Sequence, residues 1–211
     1  MNEDKLLNKK GVIKKGFEFL SNDPVLQYLI SQLGNRIDTK ERFNSNYAIA
    51  ICNLIIEQQI SFKAAITIKS KFKKLISGLS NSEIINLDNN KVQSIGLSFR
   101  KVEYMKNVLI FFEKNNHRFE NFSNNEVFEK LISIKGVGKW TCEMFLIFVL
   151  FRPDIFSFGD IALINSMKKN YNVNSRTEIE KIVNNYKPYR SIASLILWAS
   201  VSYTHLRAHE T

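Results

Sequence analysis

Three patterns of serine followed three positions later by glutamate divide much of this chain into helices. In each pattern the serine hydroxyl can accept the glutamate N–H while the glutamate carboxylate accepts the serine N–H, and an apolar periodic segment follows. The patterns begin at Ser80, Ser123 and Ser175. No useful length of sequence alternates apolar and polar residues as a strand does, and 8 Gly and 3 Pro are few for a fold built on tight turns. The chain is therefore predicted to be all-α.

Helix boundaries follow from the same kind of signal. Asp23 before Pro24 is typical of an N-cap with proline in the first helical position, and Gly34 is a stop signal. With the apolar periodicity, we predict helices over 24–33, 46–58, 61–77, 82–88, 89–95, 99–115, 124–132, 138–150, 160–170, 176–186 and 189–201. Residues 202–211 do not continue the last helical pattern and resemble translated adapter sequence. We therefore expect them to be a non-native tail outside the fold.

The charge balance favours a polyanionic partner. The sequence has 30 Lys and Arg against 20 Asp and Glu, which gives a formal charge of +10. Such a charge is typical of proteins that bind nucleic acid or, as a second choice, an anionic membrane surface. A general lysine-rich composition produces the same charge, so this feature alone leaves the partner open. The apolar run 144–151 is too short to span a bilayer and is predicted to be a buried core helix.

The two cysteines restrict the possible metal chemistry. Cys52 and Cys142 lie on apolar helical patterns, and two cysteines cannot form a four-cysteine zinc or iron–sulfur site. They are predicted to be buried free thiols in a reducing compartment. We therefore expect a cytoplasmic protein, associated with the nucleoid if it is bacterial, with no zinc and no iron–sulfur cluster.

The segment 131–141 joins two apolar helices through Gly136-Val137-Gly138. Because the second helix starts at once, backbone N–H groups near the glycines are exposed at a helix N-terminus, where a phosphate can bind. Lys135 and Lys139 flank the turn and add positive charge. A plain helix–helix turn uses glycine in the same way, so this segment alone predicts only a helical hairpin that can hold a phosphate. Asp160, directly after Gly159, would ordinarily be read as an N-cap.

Four sequence blocks, in order, resemble the helix-hairpin-helix–Gly/Pro–Asp DNA glycosylase superfamily, and within it the AlkA-type DNA-3-methyladenine glycosylase II branch. They are 56–65 (IEQQISFKAA), 94–104 (SIGLSFRKVEY), 134–148 (IKGVGKWTCEMFLIF) with Gly159-Asp160, and 188–198 (PYRS to LW). The resemblance covers roughly residues 20–201. It implies a single compact domain over 1–201 that has two helical lobes, a cleft between them with the hairpin 131–141, and no N-terminal β domain.

The resemblance also implies a mechanism. Asp160 would face a nucleotide flipped out of duplex DNA, stabilise the oxocarbenium character that develops at C1′, and orient or deprotonate the attacking water. Trp140 occupies the position where lyase-competent members have a nucleophilic lysine. The expected enzyme is therefore a monofunctional glycosylase that releases alkylated bases such as 3-methyladenine or 7-methylguanine and leaves an abasic site. Trp140, Trp198 and Met144 are expected to line the base pocket, where indole faces attract a cationic base.

Other residues are assigned to DNA or to a cation by the same resemblance. Gln59 is expected to fill the gap that the flipped base leaves. The full set of expected DNA contacts is Gln58, Gln59, Ser61, Ser98, Arg100, Lys101, Lys135, Gly136, Val137, Gly138 and Lys139. The backbone carbonyls of Ile132, Ile134 and Val137 are expected to bind Na⁺ or K⁺ only when DNA is present. The expected partner is double-stranded damaged DNA, bound by a monomer, with no membrane and no catalytic cofactor.

Two other functions stay open from the sequence. One is a glycosylase for oxidised or deaminated bases, because Trp140 disfavours lyase chemistry without selecting the base. The other is a non-catalytic helix-hairpin-helix module that only binds DNA. Asp160 and the aromatic pocket positions disfavour the second alternative, since a pure binding module needs neither.

Overall fold

In a computed structural model of the chain, residues 6–9, 11–40 and 42–207 are described, with side chains up to residue 201. These residues form twelve α-helices and no strand, which confirms the all-α prediction. The helices are α1 Val12–Leu20, α2 Pro24–Leu33, α3 Tyr47–Glu57, α4 Phe62–Leu75, α5 Asn81–Ile85, α6 Asn89–Gln93, α7 Phe99–Lys114, α8 Asn124–Ile132, α9 Lys139–Phe148, α10 Ile161–Tyr171, α11 Arg176–Asn184 and α12 Arg190–Arg207.

All three predicted capping boxes form, at the starts of α5, α8 and α11. In each box the glutamate carboxylate accepts hydrogen bonds from the capping serine, and these bonds lower the pKa of Glu83, Glu126 and Glu178. Asp23 caps α2 as predicted and accepts the N–H groups of Val25 and Leu26. The local signals therefore fix where these helices begin.

Apart from shifts of one to three residues at helix ends, two helices differ from the prediction. α1 was not predicted, because its N-cap is Gly11, which has no side chain to cap the helix; it is placed by packing, with Gly16 against Ile192 of α12. The expectation that the last helix ends at residue 201 was wrong, since α12 continues to Arg207. Once a helix is anchored by packing, each added residue gains a backbone hydrogen bond at small cost. The remainder of the predicted tail, 208–211, lies outside the described residues.

The chain divides into two compact units. One unit is continuous and spans 42–145, and the other is discontinuous and combines 1–41 with 146–211. In the continuous unit, the ring of Tyr47 packs edge-on against the half-buried Phe112 and against Phe119 and Phe145 of the core. In the discontinuous unit, the Arg190 guanidinium binds both carboxylate oxygens of Asp154, which ties the start of α12 to the chain after α9.

Within the described ranges, no helix has both the length and the apolar character that crossing a bilayer requires. Both cysteines are free and fully buried. The Cys52 thiol lies 3.7 Å from the carbonyl oxygen of Met105. Burial raises the pKa of Cys142 to about 12 and raises that of Cys52 as well. The structure thus confirms the prediction of buried free thiols.

We expect neither thiol to react quickly with Ellman's reagent in the folded protein. The thiolate is the nucleophile, and burial both disfavours its formation and blocks access to it. Titration in buffer should show no fast-reacting thiol, and titration in guanidinium chloride should show both. A fast thiol in buffer, with the circular dichroism spectrum of the folded state, would contradict this placement.

Candidate nucleic-acid interface and acidic site

The turn between α8 and α9 in the continuous unit is the predicted helical hairpin. The Val137 N–H donates to the Ile134 carbonyl at 3.0 Å, and the Cys142 N–H donates to the Gly138 carbonyl at 3.1 Å and so begins the ladder of α9. The first N–H groups of any helix lack an intrahelical acceptor. At the start of α9 these groups follow directly on the turn, which is the arrangement that binds a phosphate oxygen.

Two exposed lysines flank this turn. The Lys135 ammonium contacts the Glu103 carboxylate at 2.5 Å, and the Lys139 ammonium lies 3.9 Å from the Glu143 carboxylate. The hydrogen bond with Glu103 raises the pKa of Lys135, so its charge is secure at neutral pH. The Lys135–Glu103 pair is exposed on both sides, and such pairs contribute little to stability. Lys135 can therefore exchange its carboxylate partner for a phosphate at small cost, whereas the Glu143 carboxylate beside Lys139 is buried.

Gly136 is required by the geometry of the turn. Its φ is +100°, a region that favours glycine, and an added Cβ would overlap the side chain of Tyr104 from α7. The Asn107 amide of the same helix reaches the Lys135 carbonyl at 3.4 Å. A Cβ at Gly138, in contrast, would meet no atom within 4 Å. Helix α7 thus supports the hairpin through Tyr104 and Asn107. Of the two hairpin glycines, only Gly136 is tightly enclosed.

Gln58 connects the end of α3 to the hairpin. Its side-chain amide donates to the Gly136 carbonyl at 3.3 Å and to the Thr141 hydroxyl at 3.0 Å. The next residue, Gln59, is exposed and has a left-handed φ of +55°. Gln58 therefore holds the turn that presents Gln59, while contact of either residue with DNA stays a prediction.

Three other predicted DNA contacts have structural partners in this unit. The Lys101 ammonium donates to the carbonyls of Ile56 and Gln58 at 2.9 and 2.6 Å, and burial lowers its pKa. A cation at these carbonyls stabilises the C-terminal end of α3. Ser61 and Ser98 are the N-caps of α4 and α7. A role of these three residues in binding phosphate stays a prediction.

Arg100 remains on the surface next to them. Its Nε–H donates to the Tyr104 hydroxyl at 2.5 Å, and its guanidinium lies over the Tyr104 ring. Arg100 therefore leans on the same tyrosine that supports Gly136, which orients the exposed guanidinium.

Asp160 lies in the discontinuous unit at the start of α10. One carboxylate oxygen, Oδ1, accepts the Leu163 N–H at 2.7 Å, so the residue is an N-cap. The same oxygen accepts the indole N–H of Trp198 at 3.1 Å. The Trp198 ring in turn packs on Phe148, with 5.7 Å between ring centroids and 30° between planes. Two donors from different helices thus fix the orientation of this carboxylate.

The bond between Asp160 and Trp198 was not predicted, because the two residues are 38 positions apart and no local pattern connects them. The other two predicted pocket residues, Trp140 and Met144, lie one turn apart on α9. Trp140 is half-buried and Met144 is fully buried. Their contribution to a base pocket stays a prediction.

The carbonyls expected to bind a cation are those of Ile132, Ile134 and Val137. The Ile134 carbonyl accepts one hydrogen bond, from Val137, and a carbonyl oxygen has a second lone pair that can serve a cation. The described side chains contain no cluster of His, Cys, Asp and Glu suited to a metal ion.

Comparison with known proteins connects these features to a family. A family model described as HhH-GPD superfamily base excision DNA repair protein matches residues 52–188. The Saccharomyces cerevisiae DNA-3-methyladenine glycosylase is 26% identical, with 88% of this chain and 75% of that protein covered. The Bacillus subtilis protein YfjP is also 26% identical, and the match covers 74% of this chain and 60% of that protein's length.

Solved structures show the same relationship. The Schizosaccharomyces pombe 3-methyladenine DNA glycosylase Mag1, determined in complex with abasic DNA, superposes with a TM-score of 0.77 at 26% identity. The match covers 87% of this chain and 95% of Mag1. A DNA-3-methyladenine glycosidase from Bacillus halodurans has a TM-score of 0.67 at 26% identity, over 88% of this chain and 93% of that one.

The two hairpin glycines give a matched pair of variants. Gly136→Ala should lower the free energy of unfolding by about 2–5 kcal/mol, because it combines a left-handed φ with overlap on Tyr104. Gly138→Ala should change it by less than about 1 kcal/mol. Urea unfolding of both variants and the wild type checks this. Equal losses from the two substitutions would contradict the support of the hairpin by Tyr104.

Proposed function

Because the chain belongs to the HhH-GPD superfamily of base excision DNA repair proteins, we propose that it is a monofunctional DNA glycosylase for alkylated bases. Its substrates would be duplex DNA lesions of the 3-methyladenine and 7-methylguanine type. The observation that carries the proposal is the Asp160 carboxylate, which is fixed by the Leu163 and Trp198 N–H groups. This is the aspartate in the sequence block that resembles the AlkA-type branch.

The chemistry follows from the charge of the substrate. A base alkylated at N3 or N7 of a purine carries positive charge, and it leaves as a neutral base with the electron pair of the C1′–N bond. Positive charge then develops on the sugar, where the Asp160 carboxylate stabilises it. Water adds its oxygen to C1′, and its proton passes to Asp160 or to solvent. The products are the free base and an abasic site.

The two donors to Asp160 Oδ1 act as positioning groups in this scheme. A carboxylate whose orientation is fixed before the reaction needs no rearrangement when the sugar becomes cationic, and this preorganisation is a main source of electrostatic catalysis. Trp198 thus serves the reaction through its N–H bond to Asp160. Its indole face is also suited to a cationic base.

Trp140 determines the type of reaction. At this position an indole ring provides no amine that could form a Schiff base with C1′. The neighbouring Lys139 lies about 100° around α9 from Trp140, and its ammonium lies 3.9 Å from the Glu143 carboxylate. Water is therefore the proposed nucleophile.

The hairpin would hold the DNA backbone. The first N–H groups of α9, with Lys135 and Lys139, suit a phosphate, and the carbonyls of Ile132, Ile134 and Val137 would hold a monovalent cation beside it. That cation would strengthen binding of the DNA phosphate through its positive charge and would take no part in the chemical step. Gln59, presented by the turn after α3, would occupy the gap in the duplex. We expect a monomer to be active, since one chain carries both the hairpin and Asp160. We expect the protein to be located with the DNA of the cell.

Asp160→Asn should reduce base release about 100-fold or more, because the amide is neutral and cannot stabilise a cationic sugar. Asparagine is also a good N-cap, so the fold should be kept. The measurement is chromatography of bases released from alkylated duplex DNA, with duplex affinity measured in parallel. Asp88→Asn is a matched control, since Asp88 caps α6 in the same way. Excision by the Asp160 variant at the wild-type rate would contradict the mechanism. If the wild type released only oxidised or deaminated bases from damaged DNA, the proposed substrate class would be wrong.

Sodium borohydride should not trap a covalent complex between the wild-type protein and damaged DNA. Trapping requires a Schiff base between a lysine amine and C1′, and the mechanism uses water. A bifunctional glycosylase with a catalytic lysine is the positive control. A trapped band of protein linked to DNA would refute the monofunctional assignment.

A further inference from the structure

Helix α4 (Phe62–Leu75) has an unusual charge for a surface helix. It contains five lysines and no acidic residue. Lys69 is paired with Glu57, at 2.6 Å between ammonium and carboxylate. The other four, Lys63, Lys71, Lys73 and Lys74, are exposed and make no ion pair within the described part of the chain.

The same helix also exposes apolar side chains. Phe62 and Ile66 have relative exposures of 63% and 49%, and they lie one turn apart at the N-terminal end. At 100° per residue, Lys73 falls on the same line along the helix. The outer face of α4 therefore begins with an aromatic and an aliphatic side chain and ends in lysines.

Another side of α4, about a quarter turn around the helix axis from this line, is attached to the continuous unit. Ala65 and Phe72 are buried, and the Ile68 side chain lies against Gly96 in the segment before α7. The outer face is thus an open surface, while the inner face belongs to the core of the unit that carries the hairpin.

The start of α4 is close to the hairpin. Its N-cap, Ser61, is three residues after Gln58, whose amide binds the Gly136 carbonyl. Lys71, Lys73 and Lys74 lie 9 to 12 residues after Phe62, the first residue of the helix, which is a distance of about 14–18 Å. The lysines are therefore one short helix length away from the turn that presents Gln59.

This concentration of charge costs stability in the free protein. Lys69 and Lys73 are four residues apart, and Lys71 and Lys74 are three apart, so like charges face each other on the helix. A row of phosphates would offset that repulsion and release counterions. The partner best suited to this surface is a polyanion with apolar groups next to its phosphates, as the sugars of DNA provide.

We propose that the outer face of α4 is a second DNA-binding surface, which contacts the backbone of intact duplex on one side of the damaged nucleotide. This rests on the proposed function, in which the hairpin holds DNA at the lesion. Phe62 and Ile66 contact the sugars next to the lesion, with Lys63 beside them. Lys71, Lys73 and Lys74 contact phosphates about 4 to 5 base pairs away, at 3.4 Å per nucleotide step.

The test variant replaces Lys63, Lys71, Lys73 and Lys74 by Gln, which keeps helix propensity. The matched control replaces four exposed lysines of the discontinuous unit by Gln: Lys168, Lys169, Lys181 and Lys187. Both variants lose the same charge. Circular dichroism and urea unfolding check that each is folded. Affinity for undamaged duplexes of about 8 and about 25 base pairs is measured by fluorescence anisotropy over a range of salt.

On the long duplex, the α4 variant should bind about 10- to 100-fold more weakly at low salt, and the slope of log K against log salt should fall by about 3. On the short duplex it should bind within about threefold of the wild type, since of the four replaced lysines only Lys63 lies near the hairpin end of α4. The control should stay within about threefold of wild type on both. On a duplex that carries one abasic site to fix the position of the protein, the hydroxyl-radical footprint of the α4 variant should retract by about 4 to 5 base pairs on one side only.

Several results would overturn the proposal that the outer face of α4 binds DNA. Equal losses in the two variants would show a general charge effect, and unchanged DNA binding by the α4 variant would exclude the contact. If the α4 variant loses binding only to vesicles of phosphatidylglycerol, the face binds lipid instead. Binding to undamaged DNA needs no excision. A wild type that shows the α4-dependent binding but releases no base would therefore refute the proposed function and leave this inference standing.

Discussion

The turn at Gly136 depends on its contact with Tyr104. The backbone passes so close to the tyrosine side chain that no Cβ fits, and the same tyrosine orients Arg100 through its hydroxyl. Gln58 then binds the carbonyl of Gly136, and Lys101 binds the carbonyl of Gln58. Helices α3 and α7 are thereby joined to the hairpin through polar contacts and one close packing contact. The N–H groups at the start of α9 can be preorganised for a phosphate because the turn beneath them is held at these points.

Asp160 shows how one residue can satisfy a local and a distant requirement. As the N-cap of α10 it accepts a backbone N–H three residues ahead, which any aspartate before a helix can do. The Trp198 N–H comes from α12 and fixes the carboxylate in a second direction. A serine or threonine could also cap the helix. The proposed role in catalysis differs from capping in that it uses the negative charge of the carboxylate.

The features predicted from sequence are those set by neighbours along the chain. The three capping boxes, the Asp23-Pro24 start and the buried cysteines depend on residues within a turn or on helical periodicity, and all are present. Features set by distant contacts were not predicted. α1 lacks a capping side chain and is placed by packing against α12, and the role of Gln58 depends on a residue 78 positions away. The site residues came from a family resemblance, because spacing alone does not connect Asp160 with Trp198.

The position of the lysines adds information that net charge lacks. A lysine-rich composition raises the charge of every helix alike, but here the helices differ. α11 (RTEIEKIVN) mixes both signs and pairs Arg176 with Glu180, whereas α4 carries five lysines without one acidic residue. Composition bias explains the abundance of lysine and not its separation from glutamate on a single helix. That separation produces a local field next to the hairpin. A charge of +10 spread evenly over the surface would attract DNA without orienting it, while a charged helix that starts at the hairpin constrains the direction in which the duplex lies.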